Sequence, residues 1–355
     1  MTLVDRSRYP NLANLTTEVL KVWPEHKRYL ENSLGPREEG LLSFSEKLAE
    51  MVSRLATTVH GGISTLGDDY RFLCEEIYLP EEFYFRRHGS YRLKSFEEAL
   101  NTVYNNAPFM SRYMNGLLMS DVLWINHCQG LQHFAEVYLN SLPGNAQLLE
   151  IGPGHGLLLH LASQNPKISG LAAYDVSQKS VDMAGKALKA LGAAKPVRFE
   201  LKNILDDSIV EASNGAQFDA IVFSEVLEHL DRPEQAVRAL LHLCKPGGRI
   251  WINVPANSPA PDHLYLVREP RQAEDLVRSV GFEVVDTAHF PMTGVTLERA
   301  LKQQLTISCI IVGRRSAGLR QADNSSLDNS SGPSLRGTGR TAARAPRGDA
   351  PAPRT

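Results

Sequence analysis

The sequence predicts an α/β protein built on a doubly wound sheet, and three observations carry that prediction. Between about residues 147 and 314, apolar strand-like runs alternate with amphipathic helical runs, the pattern of repeated strand and helix units. The stretch Leu148-Leu-Glu-Ile-Gly-Pro-Gly-His-Gly156 reads as a buried strand that breaks into a glycine turn and then a helix. The first 140 residues lack the alternation and read as mostly helical.

Seven strands are expected: Gln147 to Ile151, Ile168 to Tyr174, Val197 to Leu201, Phe218 to Phe223, Arg249 to Val254, Phe282 to Thr287 and Leu305 to Val312. Helices fit between them at His155 to Gln164, Gln178 to Leu191, Pro233 to Cys244 and Pro270 to Val280. Asp231-Arg-Pro-Glu offers the third of these an N-cap with proline in its first turn, and Lys245-Pro-Gly-Gly stops it. Residues 1–140 hold long helical stretches, such as Phe44 to Val59 and Asp121 to Leu139, and form an N-terminal helical cap or substrate domain. They also hold a band of aromatic and methionine residues: Tyr78, Phe83-Tyr-Phe85, Tyr91, Tyr104, Phe109, Tyr113, Met114 and Trp124. Helical core packing is one account of that band, and a lid over an acceptor pocket is the other. Residues 141–314 form the α/β domain. Residues 315–355 shift to Ser, Gly, Pro, Ala, Arg and Asn, a composition that buries too little apolar surface to offset ordering entropy, so a disordered tail is expected.

The bulk composition narrows the function classes. A formal net charge of -2 gives no phosphate-tracking surface, which argues against a nucleic acid partner. The cysteines, Cys74, Cys128, Cys244 and Cys309, form no Cys-x-x-Cys pair, so neither a zinc knuckle nor a disulfide framework is indicated. The start lacks the apolar core of a signal peptide and no run is long enough to span a bilayer, so a cytoplasmic location without a membrane partner is expected. Whether the chain is a monomer or a homodimer stays open.

The glycine turn marks a nucleotide-type cofactor site. Gly152, Gly154 and Gly156 follow the acidic Glu150 at every second position, so backbone can approach a ligand where a Cβ would collide. A dinucleotide fingerprint would place its last glycine at position 157, which is leucine. The pattern Glu-x-Gly-x-Gly-x-Gly instead resembles the first motif of class I S-adenosylmethionine (SAM) dependent methyltransferases, and the resemblance covers roughly residues 120 to 314. It implies a Rossmann-like seven-stranded sheet whose last strand, here Leu305 to Val312, is antiparallel. It also implies SAM as cofactor and S-adenosylhomocysteine (SAH) as product. Asp175 in Ala173-Tyr-Asp-Val-Ser177 falls where an acid receives the ribose hydroxyls, with Val176 beside it; capping of the next helix is its competing role. Asn203 stands where the family usually has an acid for the adenine amino group; its carbonyl would accept that bond, or Asp206 would, and Ile204 is placed to flank the ring. Ser224 ends the fourth strand beside the expected methyl position.

An activated methyl needs an acceptor held in line and, for oxygen or carbon, a group to take its proton. Glu225, Glu228 and His229, at i, i+3 and i+4 of an expected helical turn, and His263 in Ser258-Pro-Ala-Pro-Asp-His263 are the candidates. In one reading His229 or His263 is a general base, with Glu225 beside it. In a second, Glu225, Glu228, His229 and His263 hold Mg, Mn or Zn, as in the resembling Glu-x-x-Glu-His of metal-dependent small-RNA 2′-O-methyltransferases and of some quinone-biosynthesis O-methyltransferases. The spacing to His263 is shorter than in the RNA enzymes. In a third, the glutamates favour a helix N-terminus and His229 satisfies a loop carbonyl.

The expected activity is SAM-dependent methyl transfer to an oxygen, or else a nitrogen or carbon, of a small-molecule metabolite in biosynthesis. No Asn/Asp-Pro-Pro-Tyr turn of the kind that resembles the amino-methyltransferase signature follows the fourth strand. Metal-dependent RNA 2′-O-methylation is the alternative chemistry, and a noncatalytic SAM-binding scaffold is the alternative of another class.

Overall fold

A computed structural model describes residues 3–206, 209 and 217–317 of the chain. The expected disorder beyond residue 317 lies outside the described residues. Seven strands form one sheet in the order β3-β2-β1-β4-β5-β7-β6. They are β1 Ala146–Ile151, β2 Ile168–Asp175, β3 Val197–Leu201, β4 Phe218–Ser224, β5 Cys244–Ala256, β6 Phe282–Pro291 and β7 Ile307–Arg315. Pairings from β3 through β5 are parallel, and β7 runs antiparallel to both β5 and β6, as the resemblance implies. Helices Leu157–Gln164, Gln178–Leu191, Pro233–Leu243 and Pro270–Ser279 make the crossovers. Among the described residues, no helix is long and apolar enough to cross a membrane.

Side-chain alternation splits the core into two layers. Leu148, Val222, Trp251, Ile310 and Val312 join the N-terminal helices and helices Leu157–Gln164 and Gln178–Leu191 in one. Leu149, Ile151, Phe223, Ile252 and Ile311 pack with helices Pro233–Leu243 and Pro270–Ser279 in the other. The N-terminal helices therefore share a core with the sheet, and the described residues belong to one compact unit. The helix Phe44 to Val59 of the sequence reading lies in Glu39–Thr58, which stops one residue earlier with Val59 as its C-cap, and Asp121 to Leu139 falls within the run from Ala107 to Ser141, which breaks at Trp124.

Three local differences from the expected elements have simple causes. The helix expected from His155 begins at Leu157, because Gly156 is left-handed at φ 77° and serves as its cap. Strand β5 begins as early as Cys244, and its register against β4 shifts between Phe218 and Ala220 around the Pro246-Gly-Gly segment. Helix Leu297–Gln303, between β6 and β7, was not expected; Thr296 caps it by accepting a hydrogen bond from the Arg299 backbone N–H.

Candidate active site

Strand β1 has neighbours on both sides, β2 and β4, so the sheet's order reverses there and its carboxyl edge opens a crevice. The glycine turn sits at that edge. Gly152 is at φ 68°, and a Cβ on it would lie 2.7 Å from Val226 Cγ2, so only glycine fits without displacing the segment after β4. Glu150, opposite Ala173 of β2 and Val222 of β4, is 2% exposed. Its Oε2 has no hydrogen-bond partner among the described residues, and burial pushes its carboxyl well above the usual glutamate range.

Asp175 ends β2. Its Oδ1 accepts from the Ser177 backbone N–H at 2.8 Å and its Oδ2 from the Ser180 hydroxyl at 2.7 Å, while burial raises its carboxyl. Ser177 caps the next helix, so Asp175 braces the turn at the carboxyl end of β2. Val176 is 61% exposed and open to a ligand. Asn203 Oδ1 accepts from the Leu205 backbone N–H at 2.9 Å, an Asx turn, and Ile204 is buried beside it. Ser224 Oγ meets Asn253 Nδ2 at 3.4 Å across β4 and β5.

Beyond β4 the expected helical turn is not regular. Glu225 is left-handed at φ 52°, its N–H donating to the Asn253 carbonyl, and a single 3-10 turn covers Leu227–His229. Glu225, Glu228 and His229 thus come together by a chain reversal rather than along one helix face. The Glu228 carbonyl accepts from the N–H groups of Leu264 and Tyr265 at 2.7 and 2.9 Å, which pins the loop bearing Asp262 and His263 against this turn.

Ligand-capable atoms of Glu228, His229 and His263 lie within 4.8 Å of one another, with Glu225 outside that trio. His263 Nδ1 is 2.6 Å from the Ser258 carbonyl and His229 Nδ1 is 3.2 Å from the Asp262 carbonyl. A carbonyl only accepts, so each Nδ1 carries hydrogen and each Nε2 is left as an acceptor. The two Nε2 atoms stand 3.8 and 4.0 Å from Glu228 Oε1. Glu228 is fully buried and neither of its oxygens has a hydrogen-bond partner among the described residues. Burial first, and then Glu225, push its carboxyl well above the usual range; burial likewise raises Glu225 and holds His263 down at about 4.

The aromatic band divides. Phe85, Tyr91 and Tyr113 are buried, whereas Phe83 is 67% exposed. Tyr104 OH lies 3.3 Å from His229 Nδ1, Tyr113 OH donates to Asp262 Oδ1 at 3.1 Å, and Tyr91 OH accepts from the Ser258 N–H at 3.2 Å. Tyr78 and Tyr104 each end a π-helical segment, Leu73–Tyr78 and Leu100–Tyr104, where the extra residue per turn re-aims a side chain. Sequence reasoning missed Asp262 as a partner of His229; its signal was adjacency to His263 in a proline-rich loop. His133 is tied to Trp251 and Asp286, and the exposed His88 to the Tyr84 carbonyl, both away from this cluster.

The fold is that of a SAM-dependent methyltransferase domain. Residues 127–304 match the profile of a methyltransferase domain family, and the chain belongs to that family. It is similar to a ubiquinone biosynthesis O-methyltransferase of Xanthomonas axonopodis pv. citri, 29% identical over 126 residues, covering 35% of this chain and 49% of that one. Its similarity to the enzyme of the same description from Azoarcus sp. is 24% over 190 residues, 48% of this chain and 78% of that one. The chain spans about half the length of several of the curated relatives it matches. Among solved structures, an O-methyltransferase family protein from Burkholderia thailandensis aligns at TM-score 0.47 and 16% identity, over 72% of this chain and 74% of that one.

Proposed function

We propose that this methyltransferase moves the SAM methyl group to a hydroxyl of a small aromatic metabolite bound between the N-terminal helices and the carboxyl ends of β4 and β5. The observation that carries the reading is the trio of buried Glu228 and His263 with half-buried His229, faced by tyrosines from those helices. A hydroxyl acceptor must give up its proton as the methyl arrives, and His229 presents Nε2 as an acceptor while Asp262 fixes its other nitrogen. Glu225, whose carboxyl burial raises, adjoins it as a further proton-accepting group, and His263, held down at about 4, is a weaker one. Aromatic walls suit a planar ring, and their hydroxyls suit its substituents. The names of the curated relatives, O-methyltransferases of ubiquinone biosynthesis, support a hydroxylated ring. For the cofactor, Glu150, Gly152, Gly154 and Gly156 line the turn, Asp175 and Val176 the ribose, Asn203 and Ile204 the adenine, and Ser224 the sulfonium.

The trio also supports a metal reading. Two acceptor nitrogens with their other nitrogens anchored, facing an unpartnered carboxylate, fit a divalent ion's donor set. Glu228, His229 and His263 would hold Mg, Mn or Zn, with Glu225 alongside; such an ion supplies Lewis-acid stabilisation of an acceptor oxygen. Base and ligand are exclusive roles for His229 Nε2. Methyl transfer from SAM to a panel of phenols, catechols and aromatic amines, assayed by mass with and without chelator, tests both readings. Transfer to hydroxyls is expected; transfer confined to amines, or none to any hydroxyl, would overturn the acceptor class, and indifference to chelation would overturn the metal.

A further inference from the structure

Strand order sets the direction in which SAM lies. Asn203 follows β3, Asp175 ends β2, and β3, β2, β1 and β4 are consecutive in the sheet. A cofactor with adenine at β3 and ribose at β2 must run its remaining part, a chain ending in an ammonium and a carboxylate, past the glycine turn of β1 toward β4. This direction rests on the cofactor-site reading above.

The side chains met there come from outside the sheet. Helix Ala107–Leu123 lies over the turn, with Met114 Cε 3.9 Å from where a Cβ on Gly154 would be. The Met114 carbonyl is 2.8 Å from His155 Nε2. That carbonyl can only accept, so Nε2 carries hydrogen, and in the neutral ring His155 Nδ1 is a lone pair. It faces a carboxylate: Asp121 Oδ2 is 3.9 Å away. The other Asp121 oxygen is 3.7 Å from His127 Nδ1, but that nitrogen is 3.0 Å from Ser120 Oγ, whose own hydrogen goes to the Leu117 carbonyl. His127 therefore gives its Nδ1 hydrogen to Ser120, and no described residue makes a hydrogen bond to the Asp121 carboxylate. At the base of the same turn, the buried Glu150 Oε2 has no hydrogen-bond partner among the described residues.

An acceptor gap of this kind calls for a compact donor with several N–H groups, and a primary ammonium supplies three. We infer that Asp121 and His155 hold the ammonium of the SAM amino-acid end, which makes helix Ala107–Leu123 of the N-terminal region part of the cofactor site.

Calorimetric titration of wild type and Asp121→Asn with SAH and with 5′-methylthioadenosine tests this, because the second ligand keeps the nucleoside and sulfur but lacks the amino-acid end. Asp121→Asn is expected to weaken SAH about 10- to 100-fold and to leave methylthioadenosine within about twofold. Equal losses for both ligands, or unchanged SAH affinity with a lowered melting temperature, would overturn the proposal; the latter is what a plain Asp121–His155 ion pair gives. Methylthioadenosine binding reports that the variant is folded, and Asp121→Ser takes its place if the asparagine variant is not. A wild type that binds neither ligand would remove the cofactor-site reading on which the proposal stands.

Discussion

His229 and Asp262 meet at two points: Nδ1 of the imidazole is 3.2 Å from the Asp262 backbone carbonyl and 3.4 Å from Oδ2 of its carboxylate. The other carboxylate oxygen takes the Tyr113 hydroxyl, so a helix outside the sheet fixes the acid that fixes the histidine. The backbone contact sets the tautomer, and the carboxylate lies beside the ring that takes the proton.

Asp262→Asn keeps the shape and the backbone contact but removes the charge. It is expected to lower kcat about tenfold or more with the Kd for SAM unchanged, whereas His229→Ala should lower kcat by about 10²–10⁴. Steady-state kinetics beside SAH titration separates the two effects, and a full-speed Asp262→Asn would remove the pairing from catalysis.

Glu228 bears two oxygens in full burial that are unpartnered among the described residues, which is costly for an ion-free protein. Glu228→Gln is expected to leave the metal-free melting temperature equal or higher and to abolish the stabilisation that Mn or Zn gives the wild type. Thermal scans with chelator and with added metal check this; equal metal responses in the two proteins would count against a metal at the trio.

His26 stacks on Trp23 at 3.8 Å, bonds Tyr70 through Nε2 at 2.9 Å, and is held down at about 4 by burial, from an ordinary value of 6.5. His263 is depressed in the same way. The unfolded chain then binds more protons than the folded one between about pH 4 and 6.5, so stability rises with pH across that window and is lost as pH falls through it. Each histidine contributes up to about 3 kcal/mol between the limits. The raised Glu150 and Glu228 act with opposite sign, present at low pH and lost as pH rises, but they cancel between wild type and His26→Gln. The gap in melting temperature between those two proteins should therefore shrink from pH 7 to pH 4.5. A pH-independent gap would mean His26 is not depressed.

Gly152→Ala must hold alanine at φ 68° with its Cβ against Val226. The left-handed backbone alone costs roughly 1–2 kcal/mol, and displacing Val226 moves the segment leading to His229. Lower melting temperature together with weaker SAH binding is the expected pair of results; normal values for both would show the turn to be tolerant.

Asp175→Ala removes an acceptor from the crevice and two local bonds from the turn before helix Gln178–Leu191. SAH affinity should fall about 10- to 100-fold with a modest loss of melting temperature. If affinity is unchanged while stability falls, the residue is a turn brace only.

The sheet was legible because each strand is a short apolar run with a turn at its end, and both the alternation and the glycine turn are local in sequence. Helix Leu297–Gln303 escaped notice because it is short and its start rests on one threonine cap. The site was legible only as far as local spacing reaches. Glu225, Glu228 and His229 stood out together, but the left-handed reversal at Glu225 is set by its bond to Asn253 on another strand. Asp262 becomes the partner of His229 through the hold of Glu228 on Leu264 and Tyr265, and Tyr104 and Tyr113 arrive from residues over a hundred positions away. Such pairings leave no periodic trace.

Trp251 of β5 touches Phe134 and Tyr138, and Tyr138 bridges the carbonyls of Ile221 and Arg249. A fragment trimmed at residue 141 would keep every strand yet strip this tryptophan of its cover and leave two inner strands without their clasp. The α/β half of this chain thus leans on the helical half, and a fragment of it truncated at the edge of the sheet should precipitate rather than turn over.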